Sequence, residues 1–312
     1  MGKLSTIVSV FFLWYLTAPA QAQQCEGGGS ADSARLGSTS LEYAKGEPKT
    51  VDVEDGGEIK QLAYIKSGSY AIFEGDIVIG DANELAFAAQ SGPIRLQYRS
   101  STGVSGITPF GYIARSVLAG PQKWANNVVP YTIDPNLAAG ETVIKAMKAW
   151  SAVTKLKFEE RSVANASQYP NFVYFTVGTN PDACLSRGVG MMGGKQNVEL
   201  VNGCGFGQIV HEIGHVIGLH HEQNRADRDG KVRVQMSNIK LGYGSQFKQY
   251  PSQFADAGPY DLDSIMHYDP HAFTCNGQPT IVPVHALPPG ITLGQRDHIS
   301  KGDAAVINSV YN

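Results

Sequence analysis

Between residues 211 and 221 the chain reads His211-Glu212-x-x-His215-x-x-Gly218-x-x-His221. Positions i and i+4 of a helix share one face, so His211 and His215 are aimed at one point. Gly218 can leave the helix with positive φ, and the chain then turns back and brings His221 to that point. Three neutral imidazoles with room for a water make a catalytic zinc site; a structural site is normally closed by a fourth protein ligand. Glu212 stands one step round the helix, where it can reach a water at the metal without ligating the metal. A lone histidine is usually packed or solvated, but this spacing together with Glu212 and Gly218 points to one Zn2+ per chain. His220, His267, His271, His285 and His298 match no ligand spacing and are read as packing or surface residues.

These side chains need a scaffold. Apolar and turn patterns predict strands at 128–133, 157–160, 172–177 and 197–201, and helices at 141–154, 209–219 and 301–310. Pro130 marks 128–133 as an edge or first strand. Val143, Met147, Trp150 and Val153 are expected on one buried face, and Ser300 is the expected N-cap of the last helix. Residues 41–113 read as a small, strand-poor region separable from the remainder of the chain. The order of elements, with 223–312 mostly irregular, gives an α+β class with a cleft between two halves.

The chain has 312 residues, 42% hydrophobic, enough for one or two domains with a real core. A formal net charge of −3 gives no reason to expect nucleic acid. Lys3, the apolar run 7–16 and Ala20-Gln21-Ala22 read as a secretory signal over 1–22. Export implies a secreted protein, extracellular and without a membrane attachment once the signal is removed. It also permits disulfides. Cys184 and Cys204 are good candidates, because they would clip a short Gly-rich loop, but four cysteines allow three pairings. Cys275 is read either as a free thiol or as a partner of Cys25.

Together these residues resemble the astacin family of metzincin zinc endopeptidases. Glu222 directly follows His221, as the family's acidic residue does, and Arg225–Asp229 is similar to the continuation of its zinc motif. Ser264-Ile265-Met266-His267-Tyr268 resembles the S-x-M-H-Y signature. Cys184-x-Ser186-x-Gly188-Val189-Gly190 is similar to the cysteine-flanked stretch ahead of the family's cleft-edge strand. The likeness spans residues 116–312. It implies a metzincin-like fold with a mixed sheet and the zinc helix in the first half, and a loop-rich second half. It also implies His211, His215 and His221 as zinc ligands and Glu212 as general base. Tyr268 becomes an oxyanion donor, Met266 the floor beneath the histidines, and Glu222 a buried partner of the mature N-terminus. Protein or peptide substrates and a monomeric enzyme are expected. The chain departs from the family in having no cysteine in 154–158 or at its last residues for a second disulfide.

Upstream, Phe73-Glu74-Gly75-Asp76-Ile77 resembles the family's pro-segment motif F-x-G-D, which implies Asp76 as a plug on the zinc and 23–115 as a pro-region. A Cys25 thiolate is the rival plug. Maturation is expected near 114–116, where Arg115 offers a trypsin-like site. The strand at 197–201 is expected to pair with an extended substrate. Arg296 could lie near the pocket beyond the scissile bond. Two other functions fit the same residues: a silent zinc-dependent binding protein, and a zinc hydrolase of cell-wall amides.

Overall fold

The computed structural model describes residues 41, 43–55, 57–95, 122–249 and 257–311. The signal reading, Cys25 and the maturation site near Arg115 lie outside the described residues. A ten-stranded sheet runs through the molecule in the order β5-β1-β2-β3-β4-β9-β10-β8-β6-β7. Its first five strands belong to the upstream region: β1 (Glu47–Asp55), β2 (Glu58–Ser67), β3 (Tyr70–Phe73), β4 (Ile77–Asp81) and β5 (Ile94–Arg95). The expectation of a strand-poor region is therefore wrong, and its strands continue the sheet of the rest of the molecule. Val51 and Val53 on either side of Asp52 on β1, and Leu62 and Tyr64 on either side of Ala63 on β2, bury one face. A short helix, α1 (Ala82–Ala89), closes this layer. The Asp81 carboxylate caps it by accepting the amides of Asn83 and Glu84.

The remaining strands are β6 (Val128–Ile133), β7 (Lys157–Glu160), β8 (Phe172–Val177), β9 (Leu185–Arg187) and β10 (Lys195–Leu200). β6 pairs with both β7 and β8, so it is not an edge strand. Pro130 is tolerated because pairing with β8 begins only at Tyr131. The two halves of the sheet meet where β4 runs parallel to β9, Ile77 opposite Ser186 and Val78 opposite Arg187.

Two helices pack beneath the strands: α2 (Gly140–Val153) and α3 (Phe206–Ile217). Val143, Met147 and Trp150 are buried as expected, but Val153 is 44% exposed because the helix ends there. The disulfide Cys184–Cys204 ties the start of β9 to the loop ahead of α3. Cys275 is also disulfide-bonded, which removes the free-thiol reading. The described residues from 218 onward hold short turns, the two-stranded pair β11 (Val232–Val234) and β12 (Ile281–Pro283), and α4 (Lys301–Val310). Ser300 caps α4 in a reciprocal capping box with Asp303.

Candidate metal centre

Helix α3 is held in place through its own carbonyls. The indole N–H of Trp150 donates to Val210 O at 3.0 Å and that of Trp124 to Val216 O at 2.8 Å. The Tyr311 hydroxyl donates to Ile217 O at 3.0 Å. The last turn thus finds partners that helix ends otherwise lack. Gly218 ends the helix at φ +115°, a conformation that favours glycine. At Gly214, between the two helical histidines, a Cβ would come within 2.4 Å of Met266 Sδ. Met266 therefore sits directly against the histidine helix, and any side chain at 214 would push it away.

His211, His215, His221 and Asp76 form one buried cluster whose ligand atoms lie within 4.8 Å of one another. His211 Nδ1 donates to Ile265 O and His215 Nδ1 to Leu219 O, each at 2.8 Å. These bonds fix the tautomer and leave the Nε2 lone pairs facing inward. His211 Nε2 and His221 Nε2 are 3.3 Å apart, and Asp76 Oδ2 lies 3.1 Å from each of them. Asp76 Oδ1 is 3.5 Å from His215 Nε2. A second carboxylate, Glu74, lies 3.0 Å from His221 Nδ1.

Lone pairs and carboxylate oxygens at such distances repel unless positive charge lies among them. Burial pushes His211 down to about 3, with the Arg296 charge adding to the effect. Burial also opposes the charged form of His221, but Asp76 and Glu74 outweigh it and hold its pKa up at about 9. Burial would raise Asp76, yet His221 and His215 hold it well below the usual carboxylate range. Three nitrogens and a carboxylate oxygen, converging on one buried point, are the donor set of a four-coordinate zinc ion.

Glu212 is 1% exposed, on α3 beside His211. Tyr268 is fully buried, its ring centroid is 4.7 Å from that of His221, and its hydroxyl donates to Glu74 O at 2.6 Å. Gln223 Oε1 accepts the Tyr268 amide at 3.0 Å. Glu222 accepts the Asp261 amide at 2.6 Å, and burial pushes its pKa up to about 8 although that bond and Arg225 oppose the rise. The arginines of the 225–229 stretch brace backbone. Arg225 forks onto Asp227 at 2.9 and 2.8 Å and donates to Gly258 O, and Arg228 donates to the Gln223 and Phe247 carbonyls. Arg296 donates to the carbonyls of His267 and Gln295. His267 is a structural residue: Nδ1 donates to Tyr268 O and Nε2 accepts from the Tyr260 hydroxyl at 2.7 Å.

Sequence reasoning missed three participants. Glu74 had no signal beyond its place in the F-x-G-D run. Tyr43 packs edge-on to Tyr268 at 4.9 Å and accepts the Asp269 amide through its hydroxyl. Asp303 accepts from Ser264 Oγ at 2.6 Å and from the Ile265 amide at 2.9 Å, tying α4 to the residues just ahead of Met266. The Ser300 N-cap was the legible half of that device. The strand at 195–200 also differs from expectation. β10 is covered by β8 on one side and β9 on the other, so it offers no edge to a substrate. The strand facing the upstream segment is β9.

A histidine pair on a helix, a third histidine past a left-handed glycine and a methionine turn beneath them define a metzincin-type zinc-site fold. A family model described as Astacin, a peptidase family, matches residues 117–312, and the chain belongs to that family. Blastula protease 10 of Paracentrotus lividus is 37% identical over 196 residues, 61% of this chain and 32% of that protein. Zinc metalloproteinase nas-13 of Caenorhabditis elegans is 34% identical over 239 residues, 74% of this chain and 51% of that protein. The solved structure of high choriolytic enzyme 1, a hatching enzyme zinc-protease from Oryzias latipes, is 32% identical. It superposes with a TM-score of 0.53 over 64% of this chain and 96% of that one. The chain spans about a third to a half of the length of these curated relatives.

Proposed function

We propose that the chain is the latent precursor of a secreted zinc endopeptidase, divided into a signal (1–22), a pro-region (23–115) and a protease domain (116–312). The observation that carries this reading is the buried convergence of three imidazole Nε2 atoms with the Asp76 carboxylate lying against them. The family match beginning at residue 117 supports the last boundary. The apolar run near the N-terminus supports export. Among the described residues, no helix is long and apolar enough to cross a membrane.

His211, His215 and His221 hold one zinc, which when bound supplies Lewis-acid polarisation and a water of lowered pKa. Glu212 removes a proton from the attacking water and returns it to the leaving amine nitrogen. The Tyr268 hydroxyl, occupied by the Glu74 carbonyl in the precursor, becomes a donor to the developing oxyanion once that carbonyl withdraws. Asp76 would keep the precursor silent by offering its carboxylate to the metal beside the three imidazoles. Its Oδ2 atom, 3.1 Å from the Nε2 atoms of His211 and His221, supports it as the plug.

The precursor already uses a backbone groove. The amides of Ser186 and Gly188 donate to the carbonyls of Asp76 and Val78 at 3.0 and 3.2 Å. An extended peptide that replaces β4 along β9 meets the same donors, and strand addition of this kind suits internal bonds of proteins. After a cut near Arg115, the new α-amino group pairs with Glu222. The raised pKa of that carboxyl marks it as a group that a cation would relieve.

A casein zymogram of the processed protein tests the reading. Clearing that disappears with chelator and returns with zinc is expected. Clearing that ignores the chelator contradicts it. Absence of any clearing by zinc-replete, processed protein would favour a binding protein or a hydrolase of other amides.

A further inference from the structure

The three zinc-site imidazoles are oriented from outside by different parts of the chain. The Nδ1 acceptors of His211 and His215 are the carbonyls of Ile265 and Leu219, both inside the region matched as protease. The acceptor at His221 Nδ1 is the Glu74 carboxylate, in the segment that leaves on maturation. Glu74 is an unusual residue for its place. It is 2% exposed, and its φ of +48° lies in the left-handed region. Burying a carboxylate is costly without a hydrogen-bonded partner, and a non-glycine residue at that φ adds about 1 kcal/mol or more. The backbone is pinned there because the Tyr268 hydroxyl donates to Glu74 O, while Gly75 follows at φ +84° and Asp76 turns back to the imidazoles. The turn thus delivers two carboxylates to opposite nitrogens of one ring: Asp76 to Nε2 and Glu74 to Nδ1 of His221.

A carboxylate on the outer nitrogen of a metal-bound imidazole fixes its tautomer and orientation and raises its basicity. Losing such a partner typically weakens metal binding by about 10–100-fold. We propose that Glu74 is a metal-retention residue: a removable outer partner of His221 that makes the precursor a tighter zinc binder than the processed enzyme, separately from the plug Asp76. The pro-segment then serves the metal twice, covering it and steadying the one ligand that lies beyond the helix. This proposal rests on the zinc reading above.

Equilibrium competition with a chromogenic chelator tests it, using the full-length precursor carrying Glu212→Gln so that it stays intact. Equilibrium affinity is used because simple occlusion slows metal exchange without changing it. Glu74→Leu is expected to weaken zinc binding about tenfold or more, and by a similar factor when Asp76→Ala is also present. Glu74→Gln, whose amide oxygen still accepts a hydrogen bond, is expected to recover most of the affinity. Unchanged affinity in Glu74→Leu, or failure of Glu74→Gln to differ from it, overturns the proposal. If Glu74→Leu does not fold, the Asp76→Ala precursor against the processed enzyme decides: the precursor, which keeps Glu74, must bind zinc more tightly, and equal affinities overturn the idea. A parent precursor without stoichiometric zinc would instead overturn the zinc reading itself.

Discussion

The upstream strands β1–β4 and the downstream strands β6–β10 belong to one sheet but are joined to the molecule in different ways. The downstream strands sit on α2 and α3 through a core built on Trp150, Phe175, Val198 and Ile213, all fully buried, and are clipped by Cys184–Cys204. The upstream strands build an apolar layer around Val53, Ile79 and Leu85, which also takes in Val189 and Met192 of the downstream part. They join the rest through a two-residue strand pair, a rim of side-chain contacts (Tyr70 to Glu199, Lys45 to Asp182, Tyr243 to Gly46) and apolar packing. Exposed ion pairs such as Lys45–Asp182 contribute about 0–1 kcal/mol each. The apolar part of the junction, with Ile65, Ile72 and Val78 against Tyr243 and Phe247, contributes more. One region has the internal support of a body built to stay. The other is a folded piece packed onto the first through that apolar junction, and at residues 74–76 its contacts fall on the three imidazoles and on Tyr268.

If that division is right, perturbing the permanent side destroys chemistry and perturbing the removable side destroys control. Glu212→Gln should have the largest effect. Turnover of a fluorogenic peptide by the processed enzyme should fall by about 10³-fold or more, while metal analysis still finds one zinc. Next comes Tyr268→Phe, with kcat expected to fall about 10²-fold and KM nearly unchanged, because the hydroxyl serves the transition state rather than the substrate. On the removable side, Asp76→Ala should leave peptide turnover of the processed enzyme untouched but let the precursor process itself while the parent stays intact on the same gel. A mutant as latent as the parent would mean that the silencing contact lies elsewhere. Smallest is Asp303→Ala, which removes a buried acceptor of two donors from the Ser264–Ile265 turn and one cap. It should cost about 2–3 kcal/mol and lower the melting temperature by roughly 5–10 °C, with the zinc content of the folded protein unchanged.

The same division explains what could be read in the sequence. The zinc helix was legible because its ligands follow helical geometry and Gly218 marks its end. Helix α4 was legible from its cap, and β7 and β8 matched expectation residue for residue. The upstream sheet was not, because charges stand among its apolar positions: Glu47 and Lys49 precede Val51 on the same face of β1, and Glu58 and Lys60 precede Leu62 on β2. Composition there suggested loops, whereas pairing across the hairpin decided for strand. The role of β9 was hidden for another reason. Three residues carry no periodicity, and only the tertiary pairing shows that it, and not β10, lies beside β4 of the upstream region. Glu74 and Asp303 escaped notice because their partners are 147 and 39 residues away.

The central claim is that three imidazoles hold one zinc whose chemistry cuts peptide bonds once residues 74–76 have left. It is tested most directly by titrating zinc back into the processed, metal-stripped protein while following casein hydrolysis. Activity should be absent at the start, rise linearly and reach its plateau at one zinc per chain. Hydrolysis by the stripped protein, or a plateau unrelated to one equivalent, would contradict it.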